Sequence, residues 1–187
     1  MKSIRLLMVA ALLFCLGGHT FAQAKKVGKR VLVAYFSHSG NTRQMANIIK
    51  EKLNAEIYEI ETEVEYTKDI RTLAQQAKKE IRDGFKPKLK SKSVDISKFD
   101  IIFIGSPNWW NTVAPPVSTF LSTYDFSGKT IIPFITHEGT EMGRSVQDIK
   151  TLCPGAKVLS GLPVPGKEVK ESKNEIESWL NSLSILK

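Results

Sequence analysis

The chain has 187 residues, which suits one domain with a sizeable hydrophobic core. It holds 27 basic and 19 acidic residues, a net charge of +8, but no basic and aromatic motif of the kind that binds nucleic acid, so nucleic acid is not an expected partner. Its two cysteines, Cys15 and Cys153, provide neither a disulfide framework nor a CxxC redox centre.

Residues 1–24 are typical of a secretory signal peptide. Two basic residues lie within the first five, residues 6–16 are almost wholly apolar, and Ala22-Gln23-Ala24 is a small-x-small cleavage site. The apolar run is too short to span a bilayer well; the alternatives are a retained anchor or a buried N-terminal helix. We therefore expect an exported, periplasmic protein with residues 25–187 as its mature domain and no stable membrane insertion after cleavage.

Cleavage would remove two basic residues and no acidic one, so the mature chain would carry a net charge of +6. A basic surface can meet anionic partners such as membrane headgroups or acidic proteins, but dispersed solubilising lysines are the interpretation we favour. Cys153 would be the lone cysteine of the mature chain and is expected to be a small core residue.

Apolar runs and helical periodicity alternate along the rest of the chain, which predicts a doubly wound α/β domain with a parallel sheet and helices on both faces. Pro133, in the middle of the fourth predicted strand, is unusual for a central strand. The predicted strands cover residues 30–36, 56–60, 100–105, 129–135 and 156–159, and the predicted helices cover residues 45–53, 70–81, 115–124, 143–152 and 176–183.

Ligands of open α/β sheets bind beyond the carboxyl ends of the strands, and the loop after the first strand has the chemistry of a phosphate site there. It supplies three hydroxyl side chains, a glycine that lets the backbone approach an anion, and the N-terminus of the next helix. It is neither a GxxxxGK[ST] loop nor a GxGxxG loop, and an ordinary N-cap would need only one of these side chains. The loop comprises Ser37, His38, Ser39, Gly40, Asn41 and Thr42.

This loop resembles the phosphate motif of the flavodoxin family, [ST]-x-[ST]-G-N-T, position by position, and the resemblance extends over residues 29–183. It implies a five-stranded sheet of order 2-1-3-4-5 and bound flavin mononucleotide (FMN). It also implies the short form of the fold, because residues 158–170 leave no room for the subdomain that long-chain flavodoxins insert in the fifth strand.

The loop after the third strand carries two adjacent tryptophans, which a flat redox ring could use as flat apolar partners. Its P-x-W-W-x pattern resembles the loop that lines the isoalloxazine ring in an exported flavodoxin subgroup, although one core and one exposed tryptophan is the alternative. The residues implied are Pro107, Asn108, Trp109, Trp110 and Asn111. Flavodoxins often have a glycine in this loop, at the peptide that flips when the flavin is reduced. This chain has no glycine between Ser106 and Pro115, so Asn108 is the expected hinge of that flip, since asparagine tolerates left-handed geometry.

The loop after the fourth strand follows a Pro-Phe-x-Thr strand end, as does the family's second ring-binding loop. The resemblance implies that backbone groups here bind the pyrimidine edge of the flavin. A general acid–base pair of His137 and Glu138 is the less favoured alternative, since contiguous residues rarely converge on one atom. The residues concerned are Thr136, His137, Glu138 and Gly139.

The function implied by the three loops is electron transfer or oxidoreduction by an FMN protein, whose flavin carries the chemistry. No catalytic side chain and no metal site is expected, and the partner would be a redox protein or a small-molecule electron acceptor. The alternatives are an FMN-dependent NAD(P)H:quinone or nitro-compound reductase, and a degenerate flavodoxin-fold binding module without a cofactor.

Overall fold

The computed structural model of the chain describes residues 29–90 and 93–186, so the predicted signal peptide lies outside the described residues. Within the described part, no helix has the length and apolar composition needed to cross a membrane. The predicted elements are all present there, and two short strands are added to them.

A parallel sheet of order β2-β1-β3-β5-β6 forms the centre of the domain, which is the predicted order 2-1-3-4-5 when the predicted strands are counted. The two unpredicted strands are β4, which runs antiparallel to β3, and β7, which continues the β6 edge beside β5. The strands are β1 (Val31–Tyr35), β2 (Glu56–Glu59), β3 (Ile101–Trp109), β4 (Thr112–Val113), β5 (Thr130–His137), β6 (Lys157–Val158) and β7 (Leu162–Pro165).

Pro133 lies at the break between the two edge strands. β6 ends opposite Ile131 and β7 begins opposite Phe134, so no ladder partner is in register with Pro133 on that side. The backbone O of Ile131 accepts a hydrogen bond from the N–H of Leu159, on the β6–β7 side of β5. The backbone N of Pro133, two residues further on, points to the same side. A proline in this central strand therefore leaves no ladder hydrogen bond unmade.

Helices cover both faces of the sheet, as predicted. α1 and α5 pack on one face, against alternate strand residues such as Val33 and Phe103. α2, α3 and α4 pack on the other face, against Leu32 and Ile102 among others. The helices are α1 (Asn41–Leu53), α2 (Ile70–Asp83), α3 (Pro115–Thr123), α4 (Ser145–Leu152) and α5 (Lys173–Ser182), with short 3-10 helices at Ile96–Lys98, Gly166–Glu168 and Ser184–Leu186.

Two further expectations concern the core and the β6–β7 edge. Only three residues separate β6 from β7, so the edge holds no inserted subdomain. Cys153 is buried at 5% exposure, and burial raises the pKa of its thiol to about 11. A thiol with this pKa is protonated at neutral pH, which fits the predicted core role and not a reactive one.

Candidate functional site

The three loops predicted from the sequence meet at the carboxyl ends of β1, β3 and β5, where they border a groove of about 300 Å³. This volume is at the lower end of the range for small-molecule sites. The loops after β3 and β5 are held in register, since the strand ladder continues as far as Pro107 opposite Thr136. The predicted residues that line the groove are His38, Ser39, Asn41, Pro107, Asn108, Trp109, Trp110, Thr136, His137 and Glu138.

The other five predicted residues, Ser37, Gly40, Thr42, Asn111 and Gly139, lie in the same loops without lining the groove. Two of them shape the backbone, because Gly40 and Gly139 have φ angles of +96° and +109°. Such angles favour glycine. The structure thus brings all three predicted loops to one place and divides their residues between lining the groove and shaping its edge.

The first loop presents the start of α1 to the groove. Gly40 donates its N–H to Ser37 Oγ at 3.2 Å, and the helix begins at Asn41 with no side-chain cap. The first N–H groups of a helix have no intrahelical partner, and here no side chain takes their place. A Cβ added to Gly40 would find no atom within 4 Å, so open space lies on that side of the loop.

The basic residue that follows this loop is engaged elsewhere. Arg43 Nη2 lies 2.5 Å from Glu59 Oε1, and the Tyr35 hydroxyl donates to Glu59 Oε2 at 3.0 Å. Burial, and then the carboxylate of Glu59, raise the pKa of Tyr35 to about 12, so this hydroxyl stays a donor at neutral pH. The donors that the first loop offers an anion are therefore neutral: backbone N–H groups and hydroxyls.

Thr42 and Thr136 join the first loop to the third. Their hydroxyl oxygens lie 2.8 Å apart, and the two residues are only 1% and 4% exposed. The residues are 94 positions apart in the chain. This hydrogen bond fixes the distance between the loop at α1 and the loop at the end of β5.

Replacing either threonine by valine is expected to destabilise the flavin-free protein by about 1–3 kcal/mol, because the remaining hydroxyl loses its buried partner. The double variant should lose less than the sum of the two, by about 1 kcal/mol, since it removes both polar groups. Urea unfolding of the four proteins measures this coupling. Strictly additive losses would contradict a direct bond between the two hydroxyls.

The second loop is a β-hairpin, which the sequence analysis described only as a loop after the third strand. β3 runs on to Trp109 and pairs with β4, and the turn between them consists of Trp110 and Asn111. Both turn residues are left-handed, with φ of 51° and 66°, as in a type I′ turn. Asn108, the expected hinge, is a strand residue paired with Val113, and the left-handed residues of this loop are Trp110 and Asn111.

The tip of this hairpin rests on the turn before α4. Arg144 donates its N–H to Asn111 O at 2.8 Å, and Asn108 Nδ2 donates to Glu141 O at 2.8 Å. A Cβ at Gly143 would lie 2.5 Å from Asn111 O, so glycine is needed for this approach. The Oδ1 atom of Asn108 is buried and finds no hydrogen-bond partner within the described residues.

The two tryptophans have different surroundings, although both line the groove. Trp109 packs edge-on against Phe36, His38 and Tyr66, with ring centroids 5.6, 6.0 and 5.0 Å away. Trp110 is 48% exposed and lies along α2, where its Nε1–H donates to Ala74 O at 2.9 Å. Trp109 thus lines the groove with its ring held by three aromatic neighbours, whereas Trp110 lies on the protein surface at the rim of the groove.

The third loop turns back on itself after β5. His137 is 8% exposed and accepts the N–H of Gly139 at its Nδ1, at 3.0 Å. Nδ1 of His137 is therefore engaged inside the loop, whereas the side chain of Glu138 is exposed. This arrangement suits a loop edge that offers polar contacts better than it suits an acid–base pair.

Two parts of the groove were missed by the sequence analysis. One is the face of α2 that supplies Ile70, Leu73, Ala74 and Ala77, whose periodicity indicated only a core-facing helix. The other is Gly166, where a Cβ would lie 2.6 Å from Asn41 Nδ2 and 3.0 Å from Glu138 Oε1. Gly166 follows Pro165, a Pro-Gly pair that marks a turn but gives no indication of a ligand.

Within residues 29–90 and 93–186, no cluster of three or more His, Cys, Asp or Glu side chains could hold a metal ion. What the groove offers is neutral anion donors at one end and aromatic and apolar walls at the other.

Comparisons with known proteins agree with this geometry. The sequence matches a family model described as flavodoxin over residues 30–183. A comparison with curated protein sequences gave no match.

Solved structures give the same result. A candidate flavoprotein from Bacteroides uniformis is 31% identical, with a TM-score of 0.74, and the alignment covers 83% of this chain and 99% of that one. A second from Bacteroides eggerthii is 28% identical, with a TM-score of 0.68 and coverage of 80% and 98%. A flavoprotein from Lactobacillus acidophilus, solved in complex with FMN, is 27% identical, with a TM-score of 0.64 and coverage of 77% and 98%. The chain therefore belongs to the flavodoxin family.

Proposed function

We propose that the chain binds FMN in this groove and serves in electron transfer or oxidoreduction. The observation that carries the proposal is the uncapped N-terminus of α1 beside Gly40, at one end of a groove whose other end is lined by Trp109 and Trp110. A phosphate needs the first feature and a flat redox ring needs the second. The FMN complex of the Lactobacillus acidophilus relative supports the same cofactor.

The residues at the phosphate end suit a monophosphate. Backbone N–H groups at the start of α1 and the hydroxyls of Ser37 and Ser39 would hold it, and the open side of Gly40 gives it room. Arg43, the basic residue that directly follows the loop in the sequence, is paired with Glu59. The hydroxyl of Thr42 is already bonded to Thr136, so its part in the site is to join two loops.

The residues at the ring end suit an isoalloxazine. Trp109 and the apolar face of α2 form flat and apolar surfaces, and the loop at Thr136–Gly139 forms a polar edge. Asn108 Oδ1 is a buried acceptor without a partner in the described structure, and a ring N–H could satisfy it. FMN supplies one- and two-electron redox chemistry when bound, and the protein supplies the position and the electrostatic environment.

The partner we propose is a redox protein or a small-molecule electron acceptor, outside the cytoplasm. The location rests on residues 1–24, whose pattern is that of a signal peptide. A quinone or nitro-compound reductase would need a supply of nicotinamide nucleotides in that compartment. An electron carrier would not need them, so a carrier is the favoured role.

Reduction of the purified FMN complex tests this role. We expect the two one-electron potentials to lie closer together than in acidic flavodoxins. A positive mature chain favours the negatively charged reduced flavin, and the hairpin tip is tied to Arg144 and cannot easily rearrange on reduction. An anaerobic titration followed by visible absorption measures both potentials. Widely separated potentials with a very low second one would contradict this expectation, and rapid turnover of NAD(P)H with a quinone would replace the carrier by a reductase.

A further inference from the structure

Tyr66 and Glu80 form a buried hydrogen-bonded pair behind the aromatic wall of the groove. Tyr66 lies between β2 and α2, Glu80 lies in α2, and each is 9% exposed. The Tyr66 hydroxyl donates to Glu80 Oε2 at 2.5 Å, and Gln76 Nε2 donates to Glu80 Oε1 at 2.8 Å. A carboxylate can be buried at acceptable cost only with such partners, so the position of the Tyr66 ring is closely defined.

The Tyr66 ring contacts Trp109 directly. Their centroids are 5.0 Å apart with an interplanar angle of 75°, the shortest of the three ring contacts that Trp109 makes. The same chain segment also holds a second neighbour of Trp109, because His38 Nε2 lies 2.9 Å from Thr67 O. Two successive residues, Tyr66 and Thr67, thus fix the rings on two sides of Trp109.

The hydroxyl of Tyr66 is a permanent donor. Burial, followed by the hydrogen bond and the charge of Glu80, raises its pKa far above the ordinary value of a tyrosine. The tyrosine therefore keeps its proton, and with it the bond to Glu80, at neutral pH. Trp109 lines the groove and Tyr66 does not, so the hydroxyl acts on a ligand through its neighbours, Trp109 at the ring contact and α2 at Glu80.

We propose that Tyr66, held by Glu80, is a positioning residue of the flavin site, which sets the plane of Trp109 and so the affinity of the groove for the flavin ring. The proposal rests on FMN being the ligand. It assigns the hydroxyl no contact with the cofactor and no part in electron transfer. Its prediction is that removing one oxygen atom, outside the groove, weakens binding of the ring but not of the phosphate.

The variant Tyr66→Phe is expected to raise the dissociation constants of FMN and of riboflavin by about five- to tenfold, equal to the loss of about one hydrogen bond. The affinity for inorganic phosphate should not change. Glu80→Gln keeps an acceptor for the hydroxyl and should raise the FMN dissociation constant less than threefold. Fluorescence titrations of the purified mature protein give these constants for the flavins, and competition gives the value for phosphate.

Tyr35→Phe is the matched control, because the Tyr35 hydroxyl also donates to a glutamate, Glu59, at 3.0 Å and Tyr35 does not line the groove. It should leave the FMN dissociation constant within twofold of the wild-type value. Urea unfolding shows whether the two tyrosine variants lose similar stability. An equal loss of FMN affinity in both variants would overturn the proposal, since it would then reflect stability alone.

A readout without flavin separates this proposal from the proposed function. In ¹H–¹⁵N spectra of the flavin-free protein, the indole N–H signal of Trp109 should shift or broaden in Tyr66→Phe and stay in place in Tyr35→Phe. An unchanged Trp109 signal together with unchanged FMN affinity would overturn the positioning role. If the wild-type protein binds no FMN, the proposed function fails and this proposal fails with it. If the wild-type protein binds FMN and Tyr66→Phe changes neither the FMN affinity nor the Trp109 signal, only this proposal fails.

Discussion

Substitution of Gly40 by valine is expected to lower FMN affinity at least 100-fold, a loss of about 3 kcal/mol. Gly40 has a φ of +96°, which costs a non-glycine residue about 1–3 kcal/mol, so the turn before α1 would be pushed out of place. The valine side chain would also enter the open space beside the loop, where the phosphate is proposed to lie. Titration of the flavin-free variant with FMN, followed by flavin fluorescence, measures the effect.

The control for backbone strain is Gly128→Val. Gly128 also has a positive φ, +72°, with no atom within 4 Å of an added Cβ. It precedes β5 and so lies at the amino ends of the strands, whereas the groove lies at their carboxyl ends. This variant should lose comparable stability in urea unfolding and keep its FMN affinity. Full retention of FMN by Gly40→Val would refute the assignment of the phosphate end.

Removal of the Trp109 side chain is expected to lower both the stability of the protein and its affinity for FMN. Trp109→Ala should destabilise the flavin-free protein by about 2–4 kcal/mol, because the ring packs against three others. It should also lower FMN affinity about 10- to 100-fold through the loss of a stacking surface. Trp110→Ala, at a side chain that is 48% exposed, should cost about 1 kcal/mol or less in stability and less than tenfold in affinity.

Trp179→Ala separates stability from binding in this series. Trp179 packs against Phe103 on the face of the sheet covered by α1 and α5, with ring centroids 5.8 Å apart, and it does not line the groove. This variant should unfold at lower urea concentration with unchanged affinity for FMN in the folded state. A larger loss of FMN affinity in Trp110→Ala than in Trp109→Ala would show that the exposed tryptophan, and not the supported one, is the main contact of the ring.

The sheet could be predicted because its strands are buried on both faces. A run such as Ile101–Ile104 has no polar position, and in a chain of alternating helices this indicates a parallel central strand. The phosphate loop could be predicted because its donors are contiguous in sequence and directly precede a helix. In both cases the information lies within about ten consecutive residues.

The hairpin at Trp110 and Asn111 could not be predicted in the same way. Type I′ turns are usually indicated by Asn-Gly or Asp-Gly, and a tryptophan at a left-handed position gives no such signal. Its geometry comes from tertiary contacts, among them the bond from Arg144 N to Asn111 O. The left-handed residues therefore lie two and three positions after Asn108, the expected hinge.

Contacts between distant parts of the chain account for the rest of what the sequence analysis missed. The hydrogen bond between Thr42 and Thr136 joins residues 94 positions apart, and each hydroxyl had been assigned to a loop of its own. Gly166 is identified as part of the groove only by its closeness to Asn41 and Glu138. Periodicity shows that α2 has an apolar face, but it does not show that this face also borders a ligand site.

Equilibrium titration of the purified mature protein with FMN and with riboflavin tests the central claim most directly. If the groove binds a phosphate at the start of α1 and a flavin ring beside Trp109, one FMN should bind per chain, at least 100-fold more tightly than riboflavin. This preference should disappear in Gly40→Val, whose phosphate end is distorted. Equal affinity for the two flavins, or no binding of either, would contradict the account.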